Sequence, residues 1–294
     1  MRSGHRYCAR RAIEIDPRAD GPMLHCKYIP QPPLSAFVTC LWYSEGAPNT
    51  HVKERLLPNG EPAIIFNLRD DRIRIYEAQD VSRFSTYGHS VLSGARVNCF
   101  VIDTCQQERV AGIQFRPGGA FPFFRMPASE TEGASFDLND LWQMLAGQIR
   151  EQLLAAHGIE EMFAVLERCL LDQLVRPLEL HPAVSYAIKR FRSSSHAGRV
   201  AEVADCVGLS ARRFIQLFHQ QVGLTPKAFC RVRRFQRALH SVHRKRGIDW
   251  AQLAVDCGYY DEAHFIHDFQ AFSGFTPGTY LALATEHLNH VPLV

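Results

Sequence analysis

Cationic side chains are concentrated in one stretch of this 294-residue chain. Fourteen Lys and Arg residues lie between Lys189 and Arg246, and only Glu202 and Asp205 carry negative charge in the same stretch. Such a cluster suits contact with a polyanion, because Lys and Arg neutralise phosphate groups and Arg also hydrogen-bonds guanine edges. The distribution therefore predicts a nucleic-acid-binding region in the C-terminal third.

The overall charge is divided unevenly along the chain. Residues 1–181 contain nineteen Lys and Arg against twenty-two Asp and Glu, a net charge of −3. The remaining residues contain fourteen against eight, a net charge of +6, and no Lys or Arg follows Arg246. A chain of this length with such asymmetry predicts two domains, each large enough for its own core.

The basic region belongs to a sequence that occurs twice, about 50 residues apart. The repeat predicts one supersecondary element used twice, and two copies are too few for a solenoid. The matching positions include Ala201 with Ala251, Ala204 with Ala254, Gly208 with Gly258, Phe214 with Phe265, Phe218 with Phe269, Gly223 with Gly274, Thr225 with Thr276, Pro226 with Pro277 and Phe229 with Tyr280.

Each copy predicts two helices joined by a tight turn. In the first copy, apolar residues from Val200 to Val207 recur at helical spacing, and Gly208 can end that helix in the left-handed conformation. Ser210 then supplies an N-cap for a second helix, and Thr225-Pro226 predicts a further helix start. This is the arrangement of a helix-turn-helix, whose second helix enters a major groove N-terminus first.

The duplicated pattern resembles the double helix-turn-helix DNA-binding domain of AraC-type bacterial transcription regulators. The resemblance covers residues 182–281. It rests on Ala-x-x-x-Gly-Leu-Ser-x-Arg-x-Phe-x-x-x-Phe with Gly-Leu-Thr-Pro, then on Ala-x-x-x-Gly-Tyr, His-Phe-x-x-x-Phe and Gly-Phe-Thr-Pro. It implies seven helices, with units at 200–219 and 250–270 and a linker helix at about Pro226–His243.

The same resemblance assigns candidate DNA contacts to the exposed faces of the second helices and to nearby helix starts. In the first unit and linker helix these are Ser210, Ala211, Arg212, Arg213, Ile215, Gln216, Thr225, Lys227 and Arg231. In the second unit they are Glu262, Ala263, Ile266, His267 and Thr276. Members of the family commonly carry a cationic or amide side chain where Glu262 and His267 stand.

The second unit is acidic. Asp261, Glu262 and Asp268 lie on or beside its second helix, and no cation follows Arg246 to offset them. Carboxylates repel DNA phosphates, although Glu262 can accept a hydrogen bond from cytosine N4. The sequence therefore predicts that the second helix of the first unit and the basic linker helix dominate DNA contact.

The N-terminal part shows short strand signals followed by two helical patterns. Strands are predicted at 72–76, Ala63–Leu68, Val97–Ile102 and Ala111–Phe115, which favours a sandwich or small barrel. Apolar spacing predicts helices over 138–156 and 159–175, and Arg176-Pro177 ends the second.

Two segments in this part, Leu57-Pro58-Asn59-Gly60 and Gly112 to Pro122, resemble the cupin-like sensor domain found in a subset of AraC-type regulators. The resemblance implies a ligand-sensing or dimerisation role, and no effector-binding residue is assigned. Two alternatives are a pocket for a small molecule and a dimer contact through the helices at 138–175, whose amphipathic faces need a cover.

The sequence gives little support for a metal site or for disulfide bonds. The nine Cys are scattered, with no Cys-x-x-Cys pair, and repeat positions such as Cys206 and Cys257 suggest buried, reduced thiols. His264 and His267, one turn apart, are interpreted as core and surface positions. We expect no metal site, no cofactor and no catalytic residue.

The sequence thus predicts an α+β chain. Residues 1–22 are a disordered extension, 23–176 a small β-barrel or sandwich with two helices, and 182–294 an all-α double helix-turn-helix domain. The expected function is sequence-specific transcription regulation, with double-stranded DNA as partner and RNA polymerase as a second partner for an activator. No apolar run approaches the ~20 residues of a membrane span, so we expect a cytoplasmic protein.

Two other functions stay open at this point. One is a protein-interaction adaptor that keeps the fold but binds DNA weakly. The other is a barrel enzyme with an accessory DNA-binding domain, for which residues 57–116 offer only the scattered His89, Glu61, Glu77 and Glu108.

Overall fold

The N-terminal part is built on two antiparallel sheets. A computed structural model describes residues 13–15, 23–46, 51–193, 200–244, 247–285 and 287–293. In chain order the strands β1 to β12 are Ile13–Ile15, Met23–Tyr28, Val38–Gly46, Lys53–Leu56, Ala63–Asn67, Ile73–Tyr76, Phe84–Tyr87, Ser90–Ser93, Phe100–Asp103, Arg109–Phe115, Ser135–Asp137 and His290–Leu293. The larger sheet has the order β1-β2-β3-β10-β5-β8-β11 and the smaller has the order β12-β4-β9-β6-β7.

The predicted fold class is confirmed, and the two sheets do not close into a barrel. Each of the four predicted strands is present with shifted ends; the segment predicted from Val97 begins its strand only at Phe100. Because successive side chains of a strand point to opposite faces, every second residue of β5 and β10 faces the core. Ile64 and Phe66 from β5 and Ile113 and Phe115 from β10 are fully buried in the core.

Residues 13–15 do not belong to an unstructured extension. They form β1, which pairs with β2 in antiparallel register, Ile13 opposite Tyr28 and Ile15 opposite Cys26. The expectation of disorder over 1–22 is corrected for these three residues, because the edge of β2 satisfies their backbone hydrogen bonds. The rest of that segment lies outside the described residues.

The predicted helix over 138–156 is divided into two. The helices are α1, Leu138–Trp142, and α2, Leu145–Ala155, followed by α3, Ile159–Asp172. Gln143 between the first two has a φ of 54°, which interrupts the helical hydrogen bonding. The break allows Trp142 to donate its Nε1–H to the Phe123 carbonyl at 3.2 Å and to stack on Phe124. Met144 next to the break is 81% exposed.

The C-terminal part contains the seven predicted helices within its described residues. They are α4 Pro182–Ser193, α5 Val200–Cys206, α6 Ala211–Val222, α7 Pro226–Arg244, α8 Trp250–Asp256, α9 Glu262–Ser273 and α10 Pro277–Leu283. The linker helix α7 ends one residue beyond its predicted bound. The two helix-turn-helix units are α5–α6 and α8–α9.

The sequence repeat is also a repeat of aromatic packing. Phe218 meets Phe229 edge to face at 5.6 Å between ring centroids, and Phe269 meets Tyr280 in the same way at 5.7 Å. All four rings are buried, which places the repeated aromatics in the core. Edge-to-face pairs of this kind fix the angle between consecutive helices as well as burying apolar area.

The two parts of the chain share a core and a sheet. Leu57 and Ala95 of the N-terminal part belong to the same apolar cluster as the aromatic residues of the helix-turn-helix units. After α10 the chain returns to the smaller sheet, where β12 pairs with β4 and Val291 is fully buried. The predicted domain 182–294 is therefore too long at its C-terminal end, because residues 290–293 complete the N-terminal sheet.

Candidate nucleic-acid interface

The second helix of the first unit, α6, exposes its N-terminal turns. Its N-cap is Ser210, whose hydroxyl accepts the Arg213 N–H at 3.3 Å. Its first turns carry predicted contact residues that are all exposed, namely Ala211, Arg212, Arg213, Ile215 and Gln216. An exposed, cationic N-terminal half is the orientation that a recognition helix needs to enter a major groove.

The C-terminal end of α6 is held by the N-terminal part. His219 Nε2 lies 2.8 Å from Glu132 Oε2. Gly223 ends the helix with a φ of 87°, and a Cβ built on it would lie 3.1 Å from the Ala128 carbonyl oxygen. The helix is therefore fixed at the end away from the candidate groove-facing residues.

The corresponding helix of the second unit, α9, has a mixed surface. Ala263 and His267 are exposed, whereas Glu262 and Ile266 are half-buried. Asp261 caps the helix, with its carboxylate accepting the His264 N–H at 2.7 Å. His264 is exposed, so its interpretation as a core position was wrong.

Asp268 is not part of the surface of the second unit. It is 3% exposed and accepts a hydrogen bond from Arg231 Nη2 at 2.6 Å. Asp268 follows Phe265 by three positions, which places both on the buried face of α9. The acidic surface predicted for the second unit thus consists of Glu262 and the capping Asp261. The prediction that Asp268 belongs to that surface was wrong.

Several cations of the linker helix are engaged by other side chains or partly buried. Arg231 pairs with Asp268, and the Arg234 guanidinium lies over the Tyr259 ring at 5.0 Å. Burial, together with the charge of the neighbouring Arg192, lowers the pKa of Arg233. Lys227 at the start of the helix is exposed. The linker helix therefore offers fewer free cations than its sequence suggests.

Three predicted contact residues are helix caps whose hydroxyls accept backbone hydrogen bonds. Besides Ser210, Thr225 Oγ1 accepts the Ala228 N–H at 3.2 Å and Thr276 Oγ1 accepts the Thr279 N–H at 3.1 Å. These side chains set where α6, α7 and α10 begin. Thr225 is half-buried, whereas Ser210 and Thr276 are exposed.

One surface residue beside the second unit was missed from the sequence. Tyr260 is 88% exposed and directly precedes the N-cap of α9. Tyr259, the residue before it, is buried. Nothing in the local sequence separates these two adjacent tyrosines, so the exposure of Tyr260 had no sequence signal.

The thiols differ in exposure, and the described residues form no candidate metal site. Cys257 is buried, but Cys206 is exposed, because Val203 and Ala204 define the inward face of α5 and Cys206 lies off it. In the part of the chain that is described, no three His, Cys, Asp or Glu side chains are placed to hold a metal ion. Within the same ranges, no helix is long and apolar enough to cross a bilayer.

A small cavity lies between the N-terminal part and the end of α6. Its lining includes Phe121, Phe124 and Met126 from one side and Gln221 and Val222 from the other. Its volume is about 10 Å³, room for about one water molecule. In this arrangement it does not accommodate an organic effector.

Two family models match the chain. Residues 203–282 match the family described as a helix-turn-helix domain. Residues 26–137 match a domain of unknown function, DUF6597. The match to the helix-turn-helix family begins within α5 and ends within α10, so it spans both two-helix units and the linker helix between them.

Solved structures similar to the chain include AraC-type proteins. A transcriptional regulator from Chromobacterium violaceum is 22% identical, covering 36% of this chain and 94% of that one, with a TM-score of 0.33. The C-terminal domain of AraT from Geobacillus stearothermophilus is 18% identical, covering 37% and 91%, with a TM-score of 0.35. ToxT from Vibrio cholerae, solved with an unsaturated fatty acid, is 10% identical, covering 82% and 98%, with a TM-score of 0.42. No curated protein matches.

Proposed function

We propose that this protein is a sequence-specific DNA-binding transcription regulator in which α6 makes the dominant base contacts. The observation that carries the proposal is the exposed N-terminal half of α6, with Arg212, Arg213 and Gln216 on one free face. This helix lies within the residues that match the helix-turn-helix family. Arg212 is the candidate for a two-point hydrogen bond to guanine O6 and N7.

The second unit contributes less affinity and adds selectivity. Its candidate contacts are Ala263, Ile266, His267 and the carboxylate of Glu262, and none of them is Lys or Arg. The linker helix has 19 residues, which gives a length of about 28 Å at 1.5 Å per residue. That length is comparable with the ~34 Å between major grooves on one face of DNA, which suits units in successive grooves.

The N-terminal part is proposed as the sensing or self-association module. Four apolar side chains on α2, on α3 and just after α3 are each between 36% and 44% exposed: Leu154, Leu171, Leu174 and Val175. Exposed apolar side chains favour a second copy of the chain as the binding partner, and the small cavity beside α6 offers no room for an organic effector. Sedimentation of the full chain tests this, and a strict monomer at tens of micromolar contradicts it.

The DNA proposal is tested with the full chain and a pool of random duplexes. Selection should enrich a common sequence, and affinity for it should fall with salt. For about five neutralised phosphates the slope of log affinity against log salt is about −4 to −5. A flat salt response with no enriched sequence contradicts the proposal and favours the protein-interaction adaptor, the second candidate, which the scarcity of free cations on α7 and α9 supports.

A further inference from the structure

Both candidate recognition helices end against the N-terminal part. Gly223 closes α6 beside Ala95 and Ala128, and Gly274 closes α9 beside Arg55. Both glycines have left-handed φ values, 87° and 74°. A Cβ on Gly274 would collide with the Arg55 guanidinium. The N-terminal part thus holds each helix by the end opposite its candidate DNA-facing residues.

Arg55 makes the contact with the second unit. It lies in β4, opposite Val291 of β12. Its Nη1 donates to the Ser273 carbonyl, the last residue of α9, at 3.1 Å, and its Nη2 donates to the Ala78 carbonyl at 3.0 Å. The guanidinium lies over the Phe275 ring at 4.5 Å. One side chain therefore joins the smaller sheet, the loop after β6 and the end of α9.

The chemistry of this contact depends on arginine. The last carbonyls of a helix lack partners inside the helix and carry partial negative charge, so a cation there is stabilising. The planar guanidinium can donate in two directions while stacking on an aromatic ring, whereas a Lys ammonium is a point charge without that fork. Arg55 therefore fixes both the position and the direction of the α9 terminus.

The first unit is held by different groups. His219 pairs with Glu132, and the Gly60 turn packs on α7, where a Cβ on Gly60 would lie 3.2 Å from Val232 Cγ1. None of these contacts involves Arg55. The orientation of α6 and that of α9 are thus set by separate parts of the same N-terminal body.

We propose that Arg55 is a positioning residue that sets the register of the second recognition helix relative to the first. The N-terminal part would then determine which separation between two half-sites the protein accepts, although it touches no base itself. This inference rests on the proposed DNA-binding function. It assigns to the N-terminal sheet an indirect role in DNA specificity, exerted through the position of α9.

The test uses full-length wild type, Arg55→Ala and Arg55→Lys on the duplex that wild type selects from a random pool. The half-site of α6 is the one whose base preference changes in Arg212→Ala. We expect Arg55→Ala to retain protection of that half-site, lose protection of the other and bind about tenfold more weakly. Arg83→Ala is the matched control, since Arg83 is 72% exposed in the same domain; it should leave both half-sites protected.

A second measurement covers the outcome in which Arg55→Ala does not fold. Arg55→Lys keeps the charge but loses the fork, and we expect it to tolerate one extra base pair between half-sites that wild type rejects at least fivefold. Equal weakening at both half-sites, or unchanged spacing preference in both variants, overturns the inference. Absence of any selected duplex for wild type overturns the proposed function instead.

Discussion

Breaking the ion pair between the linker helix and α9 should destabilise the fold rather than merely weaken DNA binding. Asp268 has a side chain only 4% exposed, and Arg231, 41% exposed, supplies its charge partner at 2.6 Å. The second carboxylate oxygen of Asp268 has no hydrogen-bond partner. Arg231→Ala therefore leaves a buried carboxylate with no strong donor.

The expected loss of stability follows from how deeply Asp268 and Arg231 are buried. Removing one partner of a fully buried pair costs about 3–5 kcal/mol. Arg231 is partly exposed, so water can replace part of its interaction, and we expect a loss of about 2–3 kcal/mol in the free energy of unfolding. The Arg231 guanidinium also lies over the Phe272 ring at 5.1 Å, and that packing is lost too.

A compensating pair is the matched control. Arg231→Met with Asp268→Leu removes both charges and keeps apolar volume, and it should recover stability to within about 1 kcal/mol of wild type. Denaturant midpoints and melting temperatures measure the effect, at about 2–4 °C for each kcal/mol in a domain of this size. If Arg231→Ala melts like wild type while the salt slope of DNA binding falls by about one, Arg231 is a phosphate contact and this reasoning is wrong.

Two further predictions address the interface and the C-terminal strand. Arg212→Ala should cost about 1–3 kcal/mol of specific affinity and leave affinity for unrelated DNA nearly unchanged, whereas equal losses in competition binding would reassign Arg212 to phosphate contact. Burial would raise the pKa of Glu54, but hydrogen bonds and charge from His290 and His51 lower it to about 2. Because the pKa of Glu54 in the folded state lies below the ordinary 4.5, its ionised carboxylate stabilises the fold. That stabilisation is present above pH 4.5 and is lost as pH falls toward 2. Chemical denaturation should show that Glu54→Gln flattens this acid-side loss, and an unchanged profile would contradict it.

The helix-turn-helix units were predictable because their determinants are local. Ser210 caps a helix within three residues of itself, and Gly208 ends one next to it. The apolar residues that build each unit recur at helical spacing within about 20 residues. Duplication then repeated every one of these signals, so that chance agreement became small.

The features that were missed depend on contacts distant in sequence. Nothing near Gln143 signals a positive φ, and the break there follows from the burial of Trp142 against Phe123 and Phe124. Asp268 was placed on the surface because its partner, Arg231, lies 37 residues away. Strand β12 is four residues long and pairs with β4, more than 230 residues before it, which no local pattern could reveal.

The shared core limits how the N-terminal part can influence DNA contact. Leu57 packs among the residues that support both units, Gln236 of the linker helix donates to the Pro58 carbonyl at 2.8 Å, and β12 extends the sheet that carries Arg55. A rigid connection of this kind transmits a signal only if the N-terminal part has two arrangements. A ligand or a second copy would then change DNA affinity by no more than its own difference in affinity for those arrangements. The C-terminal strand and Arg55 are therefore the places where substitutions should alter that coupling without touching a DNA-facing residue.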